Sequence, residues 1–136
     1  MENNNRSLTI YIDGACIGNP GRAGIGIVIY DGEGEKIKEI SKSIGVTTNN
    51  VAEYMALLFA LQEGLLLDRR EKIIVYTDSE LLYKQIKGEY KVKNDNLRIL
   101  LYLAQHLIAG YKTFQIEHIK RESNKIADKL ASQAVN

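Results

Sequence analysis

A chain of 136 residues with 45% apolar and 26% charged side chains is most simply one folded domain, 1–136, burying roughly two-thirds of its unfolded surface. One cysteine rules out an internal disulfide and fits a reducing, cytoplasmic setting. The net charge of +1 hides an asymmetry: residues 1–68 carry five basic and nine acidic side chains (−4), residues 69–136 thirteen and eight (+5). A basic half could hold a polyanion near the carboxylates of the other half, although solvated surface charge accounts for the split equally well.

The opening "MENNNRSLTI" lacks the apolar segment of a secretory signal, and residues 1–7 are expected to be a flexible terminus. "SLTIYID" alternates Leu8, Ile10 and Ile12 against Thr9, Tyr11 and Asp13, the two-residue period of a strand. The strand is expected to stop at Asp13, where a loop of Gly, Asn and Pro begins. "GIGIVIYDGEGEKIKEISKSIG" reads as a hairpin turning at Asp31 to Gly34. "TTNNVAEYMALLFALQEGLLL" is a helix apolar on nearly all sides, and Glu53, Gln62 and Glu63 within it argue for burial in a core and against a membrane span.

"EKIIVYTD" is a second buried strand, and "SELLYKQIKG" a short helix ending at Gly88. The polar connection "EYKVKNDN" leads to the amphipathic helix "LRILLYLAQHLIAG". "KTFQIEHIK" is a last strand, and "ESNKIADKLASQAVN" a closing helix with Ile126, Leu130 and Ala134 on one stripe. The order βββαβααβα implies an α/β fold with a mixed sheet: an antiparallel hairpin joined to a parallel portion, flanked by helices.

Two strands end alike, in "YID" and "YTD". As parallel neighbours they would set Tyr11 beside Tyr76 and Asp13 beside Asp78 at their carboxyl ends, the edge where open α/β sheets bind ligands. Paired carboxylates repel, and a divalent cation relieves the repulsion. Each acid also has an ordinary reading. Asn50 and Glu53 form a capping-box pattern, Asp78 can open the next helix, and Asp128 can be a solvated helix residue with Asn124 as a cap. A dinucleotide-binding reading of the glycines fails, because Gly18, Gly21, Gly24 and Gly26 lack the G-x-G-x-x-G spacing and precede a strand.

Four segments, "YIDGACIGNPGRAGIG", "TTNNVAEYMALLFAL", "YTDSELL" and "RESNKIADKLA", together resemble type 1 ribonuclease H, in that family's order and over roughly residues 8–134. The resemblance implies a five-stranded mixed sheet flanked by helices. It also implies an endonuclease that cuts the RNA of RNA/DNA hybrids to 5′-phosphate and 3′-hydroxyl ends. Asp13, Glu53, Asp78 and Asp128 fall on the family's four acids, which implies two Mg²⁺ (or Mn²⁺) ions about 4 Å apart. Asp13 would bridge them, Asp128 would hold the ion at the attacking water, and Glu53 and Asp78 the ion at the leaving oxygen. Cys16, Asn19, Asn49 and Asn50 match contacts to RNA 2′-hydroxyls and base edges, and Thr48 a contact to a DNA phosphate. Their ordinary readings are a turn at Asn19-Pro20, helix caps at Asn49 and Asn50, and a small apolar Cys16.

The resemblance has departures. The basic protrusion of many bacterial members is absent, and Lys87, Lys91 and Lys93 are left as substitute phosphate contacts. Glu80 stands where many members have Gln. His118 lies in a strand and reads as structural, whereas Arg121 occupies the short loop before Asp128 and is the candidate phosphate or product contact. His106 is assigned no role. A monomer without membrane association is expected. Two other readings remain: a non-catalytic hybrid-binding or interaction module of the same fold, and a proofreading-type exonuclease, which would order its acids differently and lack "TTNN".

Overall fold

The computed structural model describes residues 6–136. The elements are β1 (Ser7–Gly18), β2 (Gly21–Asp31), β3 (Lys36–Thr47), α1 (Asn49–Leu66), β4 (Lys72–Thr77), α2 (Glu80–Ile86), α3 (Asp95–Ile108), β5 (Thr113–His118) and α4 (Lys125–Gln133), the last preceded by a 3₁₀ turn at Arg121–Ser123. The element order is the one the sequence patterns imply. The sheet runs β3-β2-β1-β4-β5, antiparallel among β1, β2 and β3 and parallel from β1 through β4 to β5.

Alternation sets the two faces. Leu8, Ile10 and Ile12 point to one side of β1 and, with Ile25, Ile27 and Ile29 of β2, meet α1 in the core. Ala52, Ala56 and Ala60 are fully buried on α1, and their small side chains let that helix lie close to the sheet. α3 packs outside α1, which explains why α1 is apolar nearly all round. On the other face α4 crosses β1 and β2. Among the described residues no helix is long and apolar enough to cross a membrane.

Several expectations need correction. β1 does not stop at Asp13. Its parallel pairing with β4 ends at Ile12↔Thr77, but its antiparallel pairing with β2 continues to Gly18↔Gly21. Glycines that read as a loop are therefore strand residues, paired across a tight hairpin. The α4 stripe is turned by one residue: Ile126 is 44% exposed, while Ala127, Leu130 and Ala131 are buried. The cause is β2, where a Cβ on Gly26 would lie 2.0 Å from the Ala127 carbonyl oxygen, so the backbone of α4 rests on Gly26 through its Ala127–Ala131 side. At the N-terminus Ser7 is already in β1, and the Arg6 carbonyl accepts from the Glu71 N–H. The expected loose terminus does not include these two, and the rest of it, residues 1–5, lies outside the described residues.

Candidate active site

Asp13 sits where β1 outruns its parallel partner, and Asp78 directly follows the last residue of β4. The register places Tyr11 beside Tyr76, with their rings stacked 4.9 Å apart, so the two aspartates emerge at the same level. Glu53 reaches them from the first turns of α1. That approach depends on Gly14, where a Cβ would lie 2.7 Å from the Ala52 carbonyl carbon and the Glu53 nitrogen. The Gly14 N–H then donates to Glu53 Oε1.

The result is one oxygen from each of Asp13, Glu53 and Asp78, all within 4.8 Å of one another. Asp128, on the first turn of α4, lies beside the Asp13 carboxyl but outside that group of three, and faces Arg121 at 3.9 Å. All four acids line one open cleft of about 570 Å³, together with Cys16, Asn49 and Arg121.

Electrostatics follow from this crowding. Asp13 is only 6% exposed. Burial, then the Asp78 charge and the bond that the protonated Asp13 carboxyl can donate to Asp128, push its carboxyl up to about 8, against a smaller lowering by the Gly14 N–H. Glu53 is raised well above the ordinary carboxylate range, first by burial and then by Asp13 and Asp78. Acids this close cannot all stay ionised without compensating positive charge. An all-oxygen donor set of this kind suits a hard divalent cation.

The capping readings of Glu53 and Asp78 do not hold locally, whereas Asp128 is a helix residue with its side chain still 37% exposed. The N-cap of α1 is Thr48, whose Oγ1 accepts from the Val51 N–H. Asn50 lies inside the helix, so Glu53 is too far along to close a capping box. Ser79, not Asp78, caps α2, with its hydroxyl accepting from the Leu82 N–H. Asn124 precedes α4 without a side-chain cap bond.

The other sequence-derived residues divide into two groups. Asn19 Oδ1 accepts from the Asn49 N–H, tying the β1–β2 hairpin to the start of α1, where Thr48 and Asn50 are also exposed. The Cys16 thiol donates to the Thr47 carbonyl at 3.0 Å. Lys91 and Lys93 are exposed on the connection between α2 and α3 and do not line the acidic cleft. Glu80 points to solvent with Lys84 at 3.4 Å. His118 ends β5, exposed, its Nε2 3.3 Å from the Asp78 carbonyl oxygen and its ring stacked on Tyr83. Read from its sequence position as a cap, Asn124 lies in fact against Asp78 at 3.2 Å.

Residues 11–134 match the family described as Reverse transcriptase-like. The chain is 36% identical to the ribonuclease H of Chromohalobacter salexigens, over 95% of this chain and 84% of that protein. It belongs to the type 1 ribonuclease H family. Among members of that family it is also 37% identical to the ribonuclease HI of Halobacterium salinarum, over 93% of this chain, and spans 63% of that protein's length. The crystal structure of the Halobacterium RNase H1 superposes with a TM-score of 0.91 at 37% identity, covering 94% of this chain and 96% of that one. LC11-RNase H1, solved in complex with an RNA/DNA hybrid, superposes with a TM-score of 0.89 at 41% identity, covering 94% and 96%. The family's short form is visible in the direct connection of residues 87–94 between α2 and α3.

Proposed function

We propose that this chain is a metal-dependent endoribonuclease that hydrolyses the RNA strand of RNA/DNA hybrids, leaving 5′-phosphate and 3′-hydroxyl ends. The observation that carries this reading is the convergence of Asp13, Glu53 and Asp78 within 4.8 Å, with Asp128 beside Asp13, in one open cleft. Membership of the ribonuclease H family and the hybrid bound by LC11-RNase H1 support the choice of substrate.

In this reading Asp13, Glu53, Asp78 and Asp128 hold Mg²⁺, with Mn²⁺ as a substitute. Bound divalent cations supply charge that stabilises the phosphate in the transition state and lower the pKa of an attacking water. The chain's own part is placement. The Gly14 N–H keeps the Glu53 carboxylate turned toward Asp13 and Asp78. Cys16, Asn19, Asn49 and Asn50 face the RNA 2′-hydroxyls and base edges across the minor groove, Thr48 takes a DNA-strand phosphate, and Arg121 a phosphate beside the cleft. Lys91 and Lys93 add phosphate contacts from outside it. A monomeric, cytoplasmic enzyme completes the proposal.

The test is incubation with labelled RNA/DNA hybrid, duplex RNA and duplex DNA, each with Mg²⁺ or with EDTA. Internal cuts confined to the RNA of the hybrid, and lost in EDTA, support the reading. Tight hybrid binding without cleavage overturns it in favour of a binding module.

A further inference from the structure

Asn124 does not do what its position suggests. It immediately precedes α4, where Asn is among the preferred side chains for capping a helix, yet it makes no side-chain bond to that helix. It is 1% exposed. Its Nδ2 donates to the Ile12 carbonyl at 2.8 Å and to Asp78 Oδ2 at 3.2 Å, joining segments 112 and 46 residues apart in the chain. Its own carbonyl accepts from the Asp128 N–H, opening the turn that carries that acid. One residue thus touches the peptide unit just before Asp13, the carboxylate of Asp78 and the backbone of Asp128.

The chemistry of the group suits that place. Ile12 is the last residue of β1 paired with β4, so beyond it the sheet no longer holds the two strand ends in register. A neutral amide can grip a carboxylate there without adding a positive charge that would compete with a cation. Lys or Arg could grip as well, but would neutralise the acid. Asn124 Oδ1 is buried with no hydrogen-bond partner, an unfavourable arrangement that the residue's two donated bonds offset.

We propose that Asn124 is a positioning residue for the acidic cluster, fixing Asp78 relative to Asp13 so that the carboxylates present a preformed cation site. This rests on the ribonuclease reading above. Partners that orient metal ligands commonly carry tenfold to hundredfold in metal affinity or activity.

Asn124→Ser separates placement from helix capping, because Ser caps a helix about as well as Asn but is too short to bridge. The expected variant unfolds within about 5 °C of the parent in EDTA, binds Mn²⁺ at least about tenfold more weakly by calorimetry, and needs correspondingly more Mg²⁺ for half-maximal cleavage with an unchanged KM for hybrid. Parental Mn²⁺ affinity in the variant overturns the proposal. A second measurement needs no variant: in the parent, the Asn124 side-chain amide protons should exchange slowly and their resonances should shift as Mg²⁺ saturates. Fast exchange, or resonances indifferent to saturating Mg²⁺, overturns the proposal while leaving hybrid cleavage intact. A parent that neither binds Mn²⁺ nor cuts hybrid sinks the ribonuclease reading itself.

Discussion

The backbone N–H of Gly14 donates to the Glu53 carboxylate across 39 residues of chain, and this bond fixes how closely α1 approaches the sheet at the acidic cleft. The contact leaves no room for a methyl group, since a Cβ on Gly14 would stand 2.7 Å from the backbone of Ala52 and Glu53. Gly14→Ala should therefore push the start of α1 outward, at a cost of about 1–3 kcal/mol, the usual range for overpacking. Displacing Glu53 should lower hybrid cleavage by more than the stability loss explains. Urea unfolding and kcat measured on the same preparation test this. A stable variant with parental kcat would mean that the Glu53 position is not set by this contact.

Asp13 makes stability depend on pH in an unusual direction. Its carboxyl is raised from 3.8 to about 8, first by burial and then by Asp78. The folded protein therefore keeps a proton that the unfolded chain has released. The associated stability is fully present below the unfolded value, near 4, and is lost as pH rises through about 8. In EDTA the melting temperature should fall between pH 5 and pH 9, and added Mg²⁺ should reverse the fall. Asp13→Asn should flatten the profile and abolish cleavage while the protein still folds. A flat parental profile, or a variant with near-parental turnover, would remove Asp13 from the centre of the site.

His118 tempts assignment because its ring lies 3.3 Å from the Asp78 carbonyl oxygen. That contact is to backbone, at the exposed end of β5, and the ring stacks on Tyr83. His118→Ala should keep most of the activity, with a small loss from altered packing of α2 on β5. A hundredfold loss in kcat, about 2.7 kcal/mol of transition-state stabilisation, would put His118 into the machinery instead.

The parts of the fold legible in the sequence were those governed by local periodicity. The shared endings of "YID" and "YTD" foretold the Tyr11–Tyr76 register and, through it, the meeting of Asp13 and Asp78. What stayed hidden depends on partners far along the chain. Gly14 to Gly18 looked like a loop, because nothing local says that Gly21 to Ile25 pair with them. Glu53 looked like a capping residue, because its true donor is on another element. Asn124 looked like a cap for the same reason: its two acceptors lie 112 and 46 residues away. Asp128 had no periodicity signal at all, and only the resemblance to ribonuclease H brought it into the set.

Lys91 and Lys93 test how the chain manages without a basic protrusion. Both are exposed between α2 and α3 and neither lines the acidic cleft, so any contact with substrate is to phosphate at a distance from the chemistry. Such contacts act by releasing counterions, and each lost one should reduce the slope of log affinity against log salt by about 0.7–0.9. The double variant Lys91→Ala/Lys93→Ala should then bind hybrid more weakly at low salt and converge on the parent as salt rises, with kcat at saturating hybrid unchanged. Fluorescence anisotropy across a salt series, with a metal-free buffer to prevent cleavage, reads the slope directly. Parallel lines for parent and variant would show that these lysines face solvent in the complex, and that binding rests on the residues around the cleft.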